Sequence, residues 1–377
     1  MAYQKPVTRR STDCITPFYE IIKELLSDRN QQVFYYRKVL WQYLVDNHNY
    51  SGAYCNFCFY LKKYEEFDSY FRKGRPSNVN QVTVRYETDM GKQAQLDWKE
   101  SIPFILSTGE TIDVNIFVLL LSYSRYRVYK VSLTKTQDIL FSFLDGAFET
   151  FGGVPEEIVT DNMKTVMDEA RTEYSEGKLN IRFQQFADDY GFHVHPCIAG
   201  RPRTKAKVEA PMKILDEIRA YNGKLNYCEL NELVQRINHR VNIQVNQGTG
   251  RIPLMYFQKE KASLRSLPAD NIRKLYQITN HTAKVNHSSM FHDNGCQYSV
   301  PSEYVAKHVT LQVYDGYIHV YYSTDFITIH TISKNKLNYN SEHYAAIARK
   351  SHIFKEENIA DRAKENLEMI GKVYGYE

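Results

Sequence analysis

Residues 91–100 read GKQAQLDWKE, and the fold turns on how this stretch is read. Ala94 to Trp98 is expected to form a short strand in which a charged residue, Asp97, sits among Ala94, Leu96 and Trp98. A carboxylate there is costly if buried without a partner, so its presence needs a reason. Working outward, Val114 to Ser122 and Arg125 to Leu133 are β-rich runs separated by a tight turn, which predicts a hairpin. Thr136 to Phe151 places Ile139, Leu140, Phe143 and Phe148 at helical spacing, and Gly152-Gly153 stops it. Glu157 to Thr160 reads as a strand leading into Asp161. Leu179 to Tyr190 reads as a helix, Phe192 to Pro196 as a strand and Lys205 to Tyr221 as a longer helix. The order β-β-β-α-β-α-β-α predicts an α/β unit, a mixed sheet with helices on its faces.

Ahead of this unit the pattern is helical from Thr16 to Tyr70. Thr16-Pro17 reads as an N-cap followed by proline, and Phe18, Ile21, Ile22 and Leu25 recur with a helical period. A second run covers Val33 to Val45. A third follows the turn at Asn49-Tyr50-Ser51-Gly52 through Tyr54, Phe57, Tyr60 and Leu61. Residues 1–70 fit a helix-turn-helix, with Lys62 and Lys63 near DNA phosphates; a plain helical bundle with a basic end fits equally well. Residues 71–88 read as a linker, 89–260 as the α/β core and 261–284 as a connector. From 285 to 335 a small β-barrel-like domain is expected, with hairpin turns at Asn294-Gly295 and Asp315-Gly316. Residues 336–377 read as a charged helical tail.

Composition narrows the function classes. The 377 residues are 43% hydrophobic and 24% charged, as in ordinary globular proteins, and the net charge of +4 decides little by itself. No run approaches the roughly 20 apolar residues of a membrane span, and the N-terminus has no apolar signal region, so a cytoplasmic, nucleoid-associated protein is expected. Six cysteines make no disulfide framework in a chain this long. Cys55 and Cys58 form a C-x-x-C without a second ligand pair and are expected to pack in a core. His193 and His195 alternate on a strand and are expected to be structural. No phosphate-binding loop motif occurs, so any ATP must be used by a partner.

The chemistry is carried by three acids. Phosphodiester transfer by two divalent cations calls for carboxylates from converging elements. Asp97 lies in the first strand, Asp161 at the end of the fourth and Glu209 on the helix beginning near Lys205, with separations of 64 and 48 positions. Residues 200–224 hold seven Lys or Arg against three acids, a local charge of +4. Lys205, Glu209 and Lys213 share one helix face, as docking of DNA phosphates across that helix requires; a surface charge ladder is the plainer reading.

GKQAQLDWKE, VTDNMK and GRPRTKAKVEAPMK resemble the three catalytic motifs of retroviral-integrase-like transposases, most of all IstA-type bacterial insertion-sequence transposases. The aromatic helix after Asn49-Tyr50-Ser51-Gly52 resembles that family's helix-turn-helix. Gln297-Tyr298-Ser299-Val300-Pro301 with the following strand resembles its C-terminal β domain. The resemblance implies an RNase H-like DDE core in which Asp97, Asp161 and Glu209 bind two Mg2+ (or Mn2+) ions, Asp97 being shared. It implies Mg2+-dependent end cleavage and strand transfer on double-stranded DNA, a homo-oligomer on that DNA and an IstB-type helper ATPase. Arg201, Arg203, Lys205, Lys207 and Lys213 are implied phosphate contacts, and Asn162 either supports a ligand or touches DNA. Many members carry a further helix-turn-helix ahead of this segment, so a shortened N-terminus is expected. Ala210 stands where many have Arg. Two other readings are a catalytically impaired end-binding factor or repressor, and an RNase H-like nuclease without strand transfer.

Overall fold

The computed structural model describes residues 14–72, 87–198, 211–278, 280–314, 316–323, 325–350 and 359–374. Four helices come first: α1 (Tyr19–Leu25), α2 (Arg37–His48), α3 (Tyr54–Lys63) and α4 (Glu65–Arg72). Pro17 lies in the 3-10 turn Thr16–Phe18 ahead of α1, and Ile15 rather than Thr16 takes the cap position. Helix α2 starts four residues later than its apolar pattern suggests. The Val33 N–H is spent on the Arg219 carbonyl (3.0 Å), which ties this stretch to a distant segment instead. Asn49 ends α2 in the left-handed conformation (φ 54°), as the polar turn implies.

The central sheet has strand order β3-β2-β1-β4-β7. Its strands are β1 (Gln93–Ile105), β2 (Thr111–Leu121), β3 (Arg127–Ser132), β4 (Glu157–Thr160) and β7 (His193–Pro196). Between them lie α5 (Gln137–Phe151), a small hairpin β5 (Met167–Glu169) and β6 (Lys178–Leu179), and α6 (Ile181–Tyr190). The first three strands run antiparallel; β4 joins β1 and β7 joins β4 in parallel. This α/β arrangement is the RNase H-like mixed sheet that the element order implies.

Strand β1 is far longer than the expected Ala94–Trp98, and a bulge explains it. Lys99 pairs with Ile116, but Ile102 pairs with Val114, so β1 holds one extra residue there. An extra residue reverses which side chains face which way. Leu96 and Trp98 pack with Phe117, α5 and α6, whereas Ile102 and Phe104 join the cluster on the opposite face.

The expected long helix from Lys205 to Tyr221 differs in its described part. Residues 211–214 are helical, and Leu215–Tyr221 is a seven-residue 3-10 helix. Three residues per turn put Leu215, Ile218 and Tyr221, all buried, on one line against the core. Residues 205–210 lie outside the described residues.

Next come α7 (Tyr227–Ile243), opened by a reciprocal capping box of Asn226 and Glu229, and α8 (Pro253–Glu260). The short helix α9 (Asp270–Arg273) follows. Apolar residues of α1 to α4, one sheet face, the 3-10 segment and α7 form a single cluster.

The C-terminal β region has two sheets around its own core of Val285, Phe291, Tyr298, Val309, Leu311, Ile318 and Val320. Strands β9 (Met290–Asp293), β10 (Cys296–Ser299) and β14 (Leu337–Asn338) make one sheet. Strands β8 (Asn280–Lys284), β11 (His308–Tyr314), β12 (Tyr317–Tyr322) and β13 (Asp325–Thr331) make the other. Asn294 and Gly295 both have positive φ in the β9–β10 turn, as a tight two-residue hairpin needs. Helices α10 (Ser341–Lys350) and α11 (Ile359–Tyr374) pack on each other at the end.

Candidate active site

Strand register relates the two segments that carry the aspartates. The parallel pairs of β1 and β4 are Gln93↔Glu157, Ala94↔Ile158 and Gln95↔Val159, each 64 positions apart. Asp97 and Asp161 are 64 apart as well. Asp161 directly follows β4, and this register, if carried on by two residues, would align it with Asp97. Neighbouring strands lie about 4.8 Å apart. Across the other strands Asp97 pairs with Val118 and Val118 with Tyr129. The row Tyr129, Val118, Asp97 therefore crosses three strands.

Asp97 is half-buried and one of its oxygens accepts the Trp98 N–H at 2.9 Å; Asp161 is exposed. Two carboxylates side by side repel each other unless a cation lies between them, and hard oxygen donors suit Mg2+. The pair therefore fits a divalent ion. No described group of three or more His, Cys, Asp or Glu could complete a metal site on its own. The expected third acid, Glu209, lies outside the described residues, as do Arg201, Arg203, Lys205 and Lys207.

The chain just beyond that segment is fastened to the same sheet face. Lys99, two residues after Asp97 and on its side, donates to the Met212 carbonyl (2.8 Å) and pairs with Asp216 (2.6 Å). The buried Tyr129 hydroxyl, in the row of Asp97, donates to the Pro211 carbonyl at 3.3 Å. Sequence reasoning missed both residues. The signal for Lys99 was its parity with Asp97 in LDWKE; a lone Tyr in β3 gave none.

Asn162 carries two backbone contacts. Its Nδ2 donates to the Cys197 carbonyl (2.9 Å), and its Oδ1 accepts the Arg171 N–H (2.8 Å). Lys213 is exposed, and Lys62 and Lys63 are exposed at the end of α3 beside Phe59, while Phe57, Tyr60 and Leu61 face inward. Cys55 is exposed and Cys58 half-buried, so core packing does not account for both. His193 and His195 are exposed on the edge strand β7 and join no described metal-ligand group.

Known proteins agree with this picture. The integrase core domain family matches residues 87–202, and the Mu transposase C-terminal domain family matches residues 274–338. The chain is 52% identical to the transposase for insertion sequence element IS232 of Bacillus thuringiensis subsp. berliner, over 97% of this chain and 85% of that one. It is 28% identical to the transposase for insertion sequence element IS21 of Pseudomonas aeruginosa, over 73% and 70% of the two chains. A chain of a simian T-cell lymphotropic virus intasome aligns over 77% of this protein and 95% of its own length, at 13% identity and a TM-score of 0.38. With a match to the integrase core domain and a relative at 52% identity over nearly all of this sequence, the chain belongs to the insertion-sequence transposases with a DDE, integrase-like core.

Proposed function

We propose that this transposase performs divalent-metal-dependent cleavage at the ends of an insertion sequence and joins the freed ends to target DNA. Asp97, Asp161 and Glu209 hold two Mg2+ (or Mn2+) ions, with Asp97 shared. The observation that supports this reading is the parallel pairing of β1 with β4, which runs to Gln95↔Val159, two residues short of Asp97 and Asp161. When bound, such ions activate the attacking oxygen and stabilise the leaving one. The protein's own share is positional. Strand β1 carries Asp97, Asp161 directly follows β4, and Lys99 and Tyr129 bind residues 211–216.

Arg201, Arg203, Lys205, Lys207 and Lys213 neutralise DNA phosphates along that segment, and Lys62 and Lys63 do so from α3. Phosphate contacts fix the position of the duplex but do not read its sequence. The active form is a homo-oligomer on DNA, assisted by an IstB-type helper ATPase in the bacterial cytoplasm. No described helix is long and apolar enough to cross a membrane.

The test is cleavage and strand transfer on element-end DNA with Mg2+. Asp97→Asn and Asp161→Asn should each lower the cleavage rate by at least about 1000-fold, some 4 kcal/mol of transition-state stabilisation. DNA affinity and melting temperature should hold. Cleavage that survives either change, or binding lost in step with it, would remove the two aspartates from the chemistry.

A further inference from the structure

We infer that Asn162 is a positioning residue whose side-chain amide locks the corner of the chain that presents Asp161. The inference rests on the metal-site reading above. Asp161 lies just past the end of its strand. The last ladder pair of β4 is Thr160↔Pro196, and the Cys197 N–H donates to the Thr160 carbonyl at 2.8 Å. Beyond that point the sheet no longer fixes the backbone, and the side chain of Asn162 takes over. Its Nδ2 holds the Cys197 carbonyl past the end of β7, and its Oδ1 holds the Arg171 N–H past the end of β5. The Arg171 guanidinium adds a bond to the Pro196 carbonyl at 3.0 Å.

Three chain segments are thus tied together next to Asp161. The hairpin root is anchored in turn, because Asn180 caps α6 and also binds Asp168 and Gln137. A neutral amide suits the lock because it offers a donor and an acceptor on one short planar group. Aspartate lacks the donor, and leucine of similar size lacks both. A carboxylate on an exposed turn binds a cation well only if its carbonyl carbon and oxygens are held in place. Losing such an outer partner commonly weakens metal affinity by about 10- to 100-fold.

The experiment measures Mn2+ binding to the full chain without DNA, by the electron paramagnetic resonance signal of free Mn2+, and DNA affinity separately across a salt series. Asn162→Ala should weaken Mn2+ binding by about 10-fold or more, with unchanged DNA affinity and salt slope. Arg171→Ala, which removes only the outer strut, should weaken it less and guards against a poorly folded Asn162 variant; melting curves accompany both. Unaltered Mn2+ affinity in both variants overturns the inference. So does a loss of DNA affinity with a flatter salt dependence, which would make Asn162 a DNA contact. Asp161→Asn is the control. If that change leaves Mn2+ binding intact, the metal-site reading itself fails, and this outcome is distinct from failure of Asn162 alone.

Discussion

The two faces of the central sheet are built for different purposes. One face packs Ala94, Leu96, Trp98, Phe117 and Leu119 against Phe141, Phe148, Phe183 and Phe186 of α5 and α6. It also holds a buried ionic group: Asp145 on α5 is bound by Arg273, Tyr190 and Gln277. The other face bears Asp97, Lys99 and Tyr129, binds residues 211–216 through polar bonds and packs Leu215, Ile218 and Tyr221 in its apolar cluster. Because side chains alternate, Leu96 and Asp97 serve opposite layers while differing by one position. Both faces bury an apolar cluster, but Asp97 lies on one of them only.

Three changes should sharpen or break that division. The largest is Arg273→Ala, which strips the cation from Asp145, with side chains 11% and 5% exposed. Breaking a buried pair costs about 3–5 kcal/mol, so chemical denaturation should show that loss while cleavage by the remaining folded enzyme is normal. Burial by itself would push the Asp145 carboxyl up, but the bonds from Arg273, Gln277 and Tyr190 outweigh it and hold it below its ordinary 3.8. That contribution is fully present above pH 3.8 and is lost as the pH falls through the folded value. In Arg273→Ala the sign should reverse, with acid relieving the stranded carboxylate. A wild-type-like pH profile would show that the pair matters little.

Intermediate in size is Lys99→Met, on the polar face. Losing bonds to Met212 and Asp216 should cost roughly 1–3 kcal/mol of stability. Cleavage should fall beyond what the unfolded fraction explains, because the segment bearing Lys213 loses its seat; a drop in stability alone would make Lys99 structural only. The smallest is Lys213→Ala. DNA binding should weaken evenly across sequences and the salt slope should fall by about one. An unchanged slope would move the DNA off this helix.

Much of this was legible in the sequence. Glu157–Thr160 appears with the expected bounds because Gly152-Gly153 and Pro155 precede it and Ile158, Val159 and Thr160 are strand formers. Asp97 stood out in the sequence because a charged residue in an apolar strand needs a reason, and it lies in β1. The rest was hidden for physical reasons. The bulge after Lys99 changes which face later residues serve, and no alternation rule spans such an insertion. The 3-10 helix follows from packing of Leu215, Ile218 and Tyr221, and an α-helical period fits those residues almost as well. The lock at Asn162 joins residues 9 and 35 positions apart, a closure that only the folded chain reveals.

The shared core that joins α1–α4 to the carboxylate-bearing side of the sheet has one more consequence. Ile22, Leu40, Phe57 and Leu61 belong to the same apolar mass as Val118, Leu215 and Leu230, and the Asn47 side chain meets the Tyr221 hydroxyl at 3.2 Å. The end of α3 that carries Lys62 and Lys63 is therefore held at a set distance from Asp97, as the two jaws of a caliper share one frame.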